Sequence, residues 1–399
     1  MHPFTLATLA GWALVVATAA RLRGRPYAAF VGVLLGLHSL GAVALFPHAG
    51  PLRPLFAYLH GTVFVHFLLL ARPRMRSLAF RALVSNPAHY FVAATFLALP
   101  WAAVAAFGLT PRGLWVPYAL ALLGLVESLA AREELVDLPL DGDAVAGLRR
   151  RARRGARSDR PLRLVQITDP HLGPFMSEAR LARICERAVA RDPDLVLLTG
   201  DFLTMESQQD PGALERALAP LRALPGRVFA CRGNHDHEAP EVVARALASV
   251  GARLLIDEAV TVETGAGPVQ ILGLDFAWRG RAERMARACA EHPRVPGALR
   301  LVLLHDPGAF GQLPEGEGDL VLSGHTHGGQ LGLLRLGLPH TVVSALTKIP
   351  DHGFWARGTD RLYVHRGTGH YGFPLRLGVP AEQSLLQVHR AVATTAPGG

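Results

Sequence analysis

Short groups of aspartate, asparagine and histidine recur along the C-terminal two-thirds of this 399-residue chain. In chain order they read Asp169-Pro170-His171, Gly200-Asp201, Gly233-Asn234-His235-Asp236, a single His305, and Gly324-His325-Thr326-His327. Carboxylate, imidazole and amide oxygen form a ligand set for manganese, iron or zinc, without the thiolates of a structural zinc site. So many ligands predict two divalent metal ions. Two ions about 3.5 to 4 Å apart, bridged by an aspartate, can share a hydroxide and bind a phosphoryl group for in-line attack.

The position of these groups indicates a site more strongly than any one of them does. Taken singly, an Asp-x-His or Gly-Asp pair is usually a turn, and a lone histidine is usually hydrogen-bonded in a core. Here each of the five groups directly follows an apolar, strand-like run of sequence. Because ligands bind beyond the carboxyl ends of strands in open α/β sheets, we expect the five groups to converge on one crevice.

The elements that would position these groups begin at Leu162. Short β-rich runs alternate there with helical patterns, which are expected over 178–191 and 212–224. The strand-like runs are LRLVQIT, DLVLLTG, RVFACRG, VQILGLD, LRLVLLH, DLVLSGH, RLYVHRG and SLLQVHR. Strands that alternate with helices predict an α/β fold. Because fewer helices separate the late strands, the expected architecture has two β-sheets packed face to face with helices outside, in four layers.

The first part of the chain has a different composition. Up to Ala130 its only acidic residue is Glu127, and five apolar stretches lie near 3–20, 27–46, 55–71, 90–109 and 114–130. Each can form a spanning helix, because crossing a bilayer core of about 30 Å takes roughly 17 to 25 helical residues. Five successive, nearly uncharged runs disfavour the alternative, an all-α soluble domain. No lysine or arginine precedes the first run, so we expect it to be retained and not cleaved as a signal peptide.

The distribution of arginine predicts how these helices are oriented. Arginines cluster after the first and third stretches, at Arg21, Arg23, Arg25, Arg72, Arg74, Arg76 and Arg81. The other two loops carry only Arg53 and Arg112. Positively charged loops stay cytoplasmic, so five spans place the amino terminus outside. The prediction is a multi-pass protein of the inner or cell membrane whose C-terminal domain faces the cytoplasm.

An arginine-rich segment follows the fifth stretch and accounts for much of the net charge of +9. Its arginines are Arg149, Arg150, Arg151, Arg153, Arg154, Arg157 and Arg160. Beside a membrane, contact with anionic lipid is preferred over the two alternatives, a nucleic-acid tail and a solvated run. The sequence has no basic face with interleaved aromatic residues, so no nucleic-acid partner is expected.

These features divide the chain into four parts. A transmembrane helical domain is expected at 1–131, a basic juxtamembrane linker at 132–161, the metal-binding α/β domain at 162–391 and a flexible tail at 392–399. The sequence predicts no particular oligomeric state.

The five polar groups, in this order, resemble the five-block signature of the calcineurin-like metallophosphoesterases, over about 162–389. Within that family, SGHTHGGQ together with RGTGHYGFPLRLGVPAE is similar to a membrane-coupled bacterial subgroup that includes UDP-2,3-diacylglucosamine pyrophosphohydrolases. The resemblance implies hydrolysis of a phosphodiester, phosphomonoester or pyrophosphate. It also implies two divalent metal ions, with manganese expected and iron or zinc as alternatives.

Carried over position by position, the resemblance implies a role for each polar residue. The first metal would be held by Asp169, His171 and His327 and the second by Asn234, His305 and His325, with Asp201 bridging the two. His235 matches the family histidine that protonates the leaving group or stabilises charge, with Asp236 orienting its ring. This pairing is chemically reasonable, because an imidazole of near-neutral pKa can donate a proton and a carboxylate can fix its tautomer.

The favoured hypothesis is a membrane-anchored hydrolase acting on a small phosphate ester or a lipid-linked nucleotide such as UDP-2,3-diacylglucosamine. The acyl chains of that lipid would lie in the bilayer while its pyrophosphate reached a cytosolic site. The alternative is a non-catalytic membrane sensor with a metal-binding phosphoesterase-like domain, which the complete set of ligands disfavours. Transport by the helices is also disfavoured, because their ionisable residues are few: His38, His60, His66 and Glu127.

Overall fold

The amino-terminal part of the protein is helical in the computed structural model, which describes residues 1–141, 143–153 and 155–390. Its helices are α1 Pro3–Arg23, α2 Arg25–Leu45, α3 Arg53–Leu70, α4 Leu78–Phe80, α5 Asn86–Leu97, α6 Leu99–Ala106 and α7 Trp115–Leu129. A 3-10 segment at Phe46–Leu52 and a π-helical turn at Arg81–Ser85 join successive helices. Arg154, the last residue of the predicted domain 162–391 and the tail predicted at 392–399 lie outside the described residues.

Two helical stretches are long and apolar enough to cross a membrane, Pro3–Arg23 and Arg25–Leu70. The second stretch contains both α2 and α3, because the backbone leaves the helical region only at Gly50 (φ 52°, ψ −128°). A third candidate exists if Leu78–Leu97 and Leu99–Ala106, which bend by 61° at their break, act as one span. α7 is apolar but has 15 residues. The described residues thus contain two or three candidate spans, and the prediction of five is not confirmed.

The rest of the described chain forms two mixed β-sheets. In spatial order, the six-stranded sheet contains β1 Ala131–Pro139, β13 Ala381–His389, β3 Leu162–Ile167, β4 Leu195–Leu198, β5 Val228–Ala230 and β6 Arg253–Leu254. The seven-stranded sheet contains β2 Val145–Arg150, β11 Gly353–Gly358, β12 Asp360–Val364, β10 Leu320–Ser323, β9 Leu299–Leu304, β8 Gly267–Leu274 and β7 Glu258–Thr264. All eight strand-like runs of the sequence are strands, so the prediction of a two-sheet α/β fold is confirmed.

The central strands of each sheet run parallel, which brings their carboxyl ends to one edge. β3, β4 and β5 pair in parallel, with Val165 opposite Val196 and Val196 opposite Val228. β8, β9, β10 and β12 do the same in the other sheet, with Leu303 opposite Leu322. Parallel strands are buried on both faces and therefore read as nearly continuous apolar runs, as LVLL and LRLVLL do here.

Helices cover the outer face of each sheet. They are α8 Glu178–Ala190, α9 Pro211–Leu218, α10 Pro240–Ser249 and α11 Arg281–Glu291, with a short α12 at Val342–Leu346 in a late loop. Short 3-10 helices lie at Ala219–Ala223, His235–Glu238, Pro307–Gln312, His327–Gly329 and Leu334–Leu336. α8 starts where the Ser177 side chain accepts a hydrogen bond from Arg180 N, and it buries one face of small and apolar residues.

Apolar residues between the layers form three cores in this domain. Leu164 and Leu197 pack against Leu301 and Leu322 between the two sheets. Outside the first sheet, Leu198 belongs to a core shared with α8, α9 and α10. Outside the second sheet, strand and loop residues pack on Met285, Ala288 and Cys289 of α11. The order helix, sheet, sheet, helix gives the four layers that the sequence predicts.

The interval 132–161 differs from the expected linker, because it supplies an outer strand to each sheet. β1 pairs in parallel with β13, and β2 pairs antiparallel with β11. Both partner strands lie more than 200 residues away in the chain, and β1 carries several charged residues. The local sequence pattern therefore does not predict these two strands. Some arginines of the interval 132–161 form ion pairs within the domain. Arg150 pairs with Asp351 at 2.7 Å, and two more bind carboxylates of their own segment: Arg151 to Asp141 and Arg157 to Asp137.

Candidate metal centre

The predicted polar groups lie just beyond the carboxyl ends of five strands. Asp169 follows β3, Asp201 follows β4, Asn234 follows β5, His305 follows β9, and His325 and His327 follow β10. The first three strands belong to one sheet and the last two to the other. The structure therefore brings these residues together where the ends of the two sheets meet.

Asp169, His171 and His327 form a buried group whose ligand atoms lie within 4.8 Å of one another. His171 Nε2 is 3.2 Å from His327 Nε2, and His327 Nε2 is 3.5 Å from Asp169 Oδ1. The Thr168 hydroxyl and the backbone amide of His325 donate hydrogen bonds to the Asp169 carboxylate. The carboxylate is thereby oriented toward the two imidazoles.

Asp201, His305 and His325 form a second group of the same kind. His305 Nε2 is 3.3 Å from Asp201 Oδ2 and 3.3 Å from His325 Nδ1. The same Asp201 oxygen lies 3.8 Å from His171 Nε2 of the first group. Asp201 therefore stands between the two groups and faces both.

The spacing of these side chains fits divalent ions. Nitrogen and oxygen ligands bind a zinc-like ion at about 2.0 to 2.2 Å, so two ligands of one ion lie roughly 3 to 3.5 Å apart. In each group, the two separations given above are 3.2 to 3.5 Å. His305 Nδ1 lies 2.7 Å from the carbonyl oxygen of Thr199, which can only accept, so Nδ1 carries the proton and Nε2 is free to bind a cation.

Asn234 was predicted to complete the second group. Its Oδ1 is buried and accepts no hydrogen bond from the described residues. Buried amide oxygens are normally satisfied, so this atom needs a partner that protein atoms do not supply. A cation between Asn234, His305 and His325 would be such a partner.

The backbone of the predicted ligands is strained in a way that also indicates a functional site. Five of the seven have left-handed backbone conformations although none is glycine: Asp169 (φ 51°), His171 (46°), Asp201 (57°), His325 (66°) and His327 (51°). Such conformations cost of order 1 to 3 kcal/mol each and collect at active sites. The sheets and the buried hydrogen bonds hold the ligand side chains in place against this cost.

Glycines beside the ligands allow the chain to pass close to them. A Cβ at Gly324 would lie 2.1 Å from Asp169 Oδ2, and one at Gly233 would lie 2.2 Å from Asp201 Oδ1. These contacts are too short for any side chain. Glycine is therefore required at both positions to leave the ligand carboxylates room.

Burial and neighbouring charge shift the pKa values of these groups. Burial lowers the pKa of His171 and of His325 to about 4, so both imidazoles are neutral at pH 7. Burial raises the pKa of Asp169 to about 6. Burial acts to lower the pKa of His305, but the negative charge of Asp201 outweighs it and raises that pKa to about 10. The centre thus carries concentrated negative charge that attracts either protons or metal ions.

The interaction predicted between His235 and Asp236 is absent among the described residues, and another carboxylate takes its place. His235 Nδ1 lies 3.0 Å from Glu238 Oε1. Asp236 is fully buried and accepts hydrogen bonds from the backbone amides of Asp201, Phe202 and Gly233 at 2.8 to 2.9 Å. The reason is the 3-10 turn His235–Glu238, which points residues three apart in the same direction. Asp236 holds two ligand loops together and does not orient the imidazole.

The environment of His235 favours its protonated form. Burial acts to lower its pKa, but the hydrogen bond to Glu238 and the charges of Asp201 and Glu238 outweigh burial and raise the pKa above the ordinary 6.5. The ring of Tyr371 stacks on that of His235, with centroids 4.7 Å apart. Tyr371 also lies 5.2 Å from the ring of His171. Sequence reasoning did not single out Glu238 or Tyr371; the i to i+3 spacing of His235 and Glu238 was the available signal.

Arg366 and Arg376, both from the late glycine-rich segment, make structural contacts near the centre. Arg376 is fully buried and donates a hydrogen bond to the carbonyl oxygen of His327 at 3.1 Å. Arg366 lies between Glu134 of β1 and Glu382 of β13. Arg376 therefore supports a predicted metal ligand from behind.

The end of α7 is attached to the same region. The backbone amide of Arg376 donates to Ser128 Oγ at 2.9 Å, and that of Gly378 donates to Glu127 Oε2 at 2.7 Å. Glu127 also pairs with Arg335 at 3.0 Å. The one acidic residue of the apolar region thus binds the segment that supports His327.

Comparison with known proteins agrees with the family resemblance of the five polar groups. A family model described as calcineurin-like phosphoesterase matches residues 162–329. "Phosphodiesterase YaeI" of Escherichia coli (strain K12) is 30% identical over 233 residues, which cover 57% of this chain and 82% of that protein. "UDP-2,3-diacylglucosamine pyrophosphatase LpxG" of Chlamydia muridarum (strain MoPn / Nigg) is 27% identical over 263 residues, which cover 52% of this chain and 78% of that protein.

A relative from Danio rerio is named as a transmembrane protein that carries this domain. "Transmembrane protein with metallophosphoesterase domain" of Danio rerio is 30% identical over 247 residues, which cover 58% of this chain and 54% of that protein. The matched family region contains every strand end that carries a predicted ligand. The chain belongs to the calcineurin-like metallophosphoesterases, a family of phosphate-ester hydrolases that use a binuclear metal centre.

Proposed function

We propose that this protein is a membrane-anchored metallophosphoesterase that cleaves a phosphodiester or pyrophosphate bond in a lipid-linked nucleotide. One observation carries the catalytic part of the proposal: Asp201 Oδ2 faces both ligand groups, 3.3 Å from His305 Nε2 and 3.8 Å from His171 Nε2. A carboxylate in that position can be shared by two ions.

The proposed metal ligands fall into the two side-chain groups described above. Asp169, His171 and His327 would hold one ion; Asn234, His305 and His325 would hold the other; Asp201 would be shared. When bound, two divalent ions supply Lewis-acid activation of water and neutralise negative charge on the phosphoryl group. Manganese is the expected metal, with iron or zinc as alternatives, because the ligands are oxygen and imidazole nitrogen without thiolate.

His235 is the proposed general acid. It follows Asn234 directly, and the hydrogen bond to Glu238 and the neighbouring negative charges outweigh burial and raise its pKa above the ordinary 6.5, which favours the protonated form. Glu238 accepts from His235 Nδ1 and thereby directs Nε2 toward the crevice as the proton donor. Proton donation to the leaving oxygen would then free the alcohol or nucleotide product.

Apolar side chains around the crevice support a substrate with a lipid part. Phe276 lies 6.3 Å from the ring of His325, and the exposed Trp278 packs on Phe276 at 4.7 Å. The segment 331–349, which follows the His325 group in the chain, exposes Leu336 and Leu346. Acyl chains could remain beside these residues and the apolar helices while the phosphate reaches the centre. The relative from Chlamydia muridarum is named for a substrate of this class.

The proposed arrangement in the cell follows from the arginines of the apolar region. We place the helical part, 1–131, in the inner or cell membrane as a multi-pass anchor, with the phosphoesterase domain in the cytoplasm, where arginine-rich loops stay. Exposed Arg149, Arg153 and Arg160 are then candidates for contact with anionic lipid. The contact of Glu127 and Ser128 with the domain supports a fixed distance between membrane and site.

The substrate class can be tested with the full-length protein in lipid nanodiscs. Turnover of UDP-2,3-diacylglucosamine is compared with that of a water-soluble UDP-sugar lacking acyl chains, both with Mn²⁺. The proposal predicts kcat/KM at least roughly 100-fold higher for the lipid, because its acyl chains hold it in the bilayer beside the site, each CH₂ transferred from water contributing about 0.8 kcal/mol. Equal kcat/KM for the two substrates would contradict a lipid-linked substrate while leaving phosphoesterase activity intact.

A further inference from the structure

A third group of ligand-type side chains lies away from the centre described above. It consists of His66, His89 and Glu206, whose ligand atoms lie within 4.8 Å of one another. His66 belongs to α3 and His89 to α5, whereas Glu206 lies in the loop after β4, five residues beyond Asp201. The group therefore joins the apolar helices to the phosphoesterase domain.

The two histidines have free ring nitrogens suited to a metal ion. His89 Nδ1 lies 2.7 Å from the carbonyl oxygen of Ser85, which can only accept, so Nδ1 donates and Nε2 keeps its lone pair. His66 is 5% exposed, and its Nε2 has no hydrogen-bond partner among the described residues. The two rings meet edge to face, with centroids 4.4 Å apart. A buried nitrogen without a partner is uncommon and indicates an additional ligand.

Glu206 supplies the negative charge that a cation requires. Its side chain lines a small cavity together with His66, Arg74 and Arg76. The cavity is also bounded by Pro174, from the loop that carries His171. Helices and catalytic loops therefore meet around this carboxylate.

We propose that His66, His89 and Glu206 bind one divalent transition-metal ion, such as Zn²⁺, which fastens α3 and α5 to the loop that carries Asp201. Two imidazoles and a carboxylate are a common ligand set for such an ion, with water at the remaining position. Ligands of one ion lie roughly 3 to 3.5 Å apart, and the ligand atoms of this group all lie within 4.8 Å of one another. The ion shares no ligand with the binuclear centre and is additional to it.

The ion would stabilise both loops that supply predicted catalytic ligands. Ser207, next to Glu206, donates a hydrogen bond to the carbonyl oxygen of Leu172 at 2.6 Å. Leu172 and Leu203 form a parallel bridge between the same two loops. Fixing Glu206 to α3 and α5 would therefore also hold the segments after Asp169 and Asp201 against the membrane helices.

The metal content of the full-length protein in detergent tests this inference. Protein is loaded with Zn²⁺, passed over a desalting column and measured by mass spectrometry of the metal. Glu206→Gln and His66→Gln are each expected to lose about one ion per chain. His60→Gln is the matched control, because His60 lies on the same helix, is similarly buried and belongs to none of the ligand groups found among the described residues. It is expected to lose no ion. Unchanged zinc content in Glu206→Gln would overturn the proposal.

A second measurement separates this site from the binuclear centre. Co²⁺ is titrated into full-length Asp201→Asn, in which the binuclear centre is weakened, and into Asp201→Asn combined with Glu206→Gln. The visible absorption of tetrahedral or five-coordinate Co²⁺ is expected to fall by about one ion equivalent in the double variant. Glu206 lies on a loop and is half-buried, so its replacement leaves the core unchanged. Identical absorption in the two proteins would overturn the third site, whatever the activity of the enzyme.

Discussion

His235 Nδ1 lies 3.0 Å from Glu238 Oε1, so the carboxylate that orients the proposed general acid is Glu238 and not the adjacent Asp236. Replacing Glu238 with glutamine removes its charge and lowers the pKa of His235. We expect kcat to fall about 10-fold for a phosphodiester with an alkyl leaving group, which needs a proton, and much less for a p-nitrophenyl ester. Exposed Glu241→Gln, three residues on, is the control. An equal loss for both leaving groups would argue against proton donation by His235.

Asp236 accepts three backbone hydrogen bonds and is therefore expected to act through stability. Burial, together with the charge of Asp201, raises its pKa to about 7. In Asp236→Asn, the side-chain NH₂ group would face one of the backbone N–H groups of Asp201, Phe202 and Gly233, so two donors would point at each other. We expect a loss of about 1 to 3 kcal/mol in the free energy of unfolding, because a buried donor is left unsatisfied. The measurement is denaturant unfolding in detergent, with exposed Glu291→Gln as control; an unchanged midpoint for Asp236→Asn would contradict this role.

Tyr371 packs its ring against His235 at 4.7 Å and is partly exposed at the crevice. Tyr371→Ala should lower kcat/KM about 10-fold, because stacked aromatic pairs contribute about 0.5 to 1.5 kcal/mol and the His235 ring would lose its orientation. Tyr371→Phe keeps the ring and should retain nearly full activity. Steady-state kinetics of the two variants distinguish ring from hydroxyl. An equal loss in Tyr371→Phe and Tyr371→Ala would show that the hydroxyl, and not stacking, matters.

Glu382 links β13 to β12 and is expected to make stability depend on acid pH. Burial alone would raise its pKa, but the charges of His365 and Arg366 and hydrogen bonds from Ser384 and Tyr363 outweigh burial and lower the pKa to about 2. Because the pKa of Glu382 is lower in the folded state than in the unfolded state, its ionised carboxylate stabilises the fold at pH values above the unfolded-state pKa. This stabilisation is lost as the pH falls toward 2. The contribution at pH 7 is on the order of 3 kcal/mol.

Glu382→Gln should therefore be less stable than the wild type at pH 7, and the difference should shrink steadily between about pH 4.5 and pH 2. Thermal unfolding of both proteins over this pH range provides the measurement. Exposed Glu258→Gln serves as a control whose difference from the wild type stays small throughout. A Glu382→Gln deficit that is constant with pH would mean that the charge of Glu382 does not contribute.

Much of the fold could be predicted because the central strands are parallel and buried on both faces. Apolar runs such as LRLVLL, each followed directly by a polar group, are typical of such buried parallel strands. β1 and β2 could not be predicted, because their pairing partners β13 and β11 lie more than 200 residues away and their own sequences are charged. The prediction of five spans is not confirmed, because apolar composition does not show where α2 and α3 join or where α5 and α6 bend.

The site was predictable in its residue types and less so in its contacts. Asp169, Asp201 and His305 sit at strand ends, a position that follows from sequence order alone. The partner of His235 depends on the 3-10 geometry of a single turn, which no composition pattern reveals. The grouping of His66 and His89 with Glu206 depends on how separate elements pack, so it emerges only in three dimensions.

A binuclear centre built on Asp201 is tested by metal-dependent hydrolysis of bis(p-nitrophenyl) phosphate by the full-length protein and by Asp201→Asn. The variant keeps the size of the side chain but removes the charge that faces both ligand groups. We expect turnover with Mn²⁺ that disappears with chelator and falls at least roughly 100-fold in the variant, about 2.7 kcal/mol of transition-state stabilisation. Turnover that survives the chelator, or that is equal in Asp201→Asn and the wild type, would contradict a binuclear centre built on Asp201.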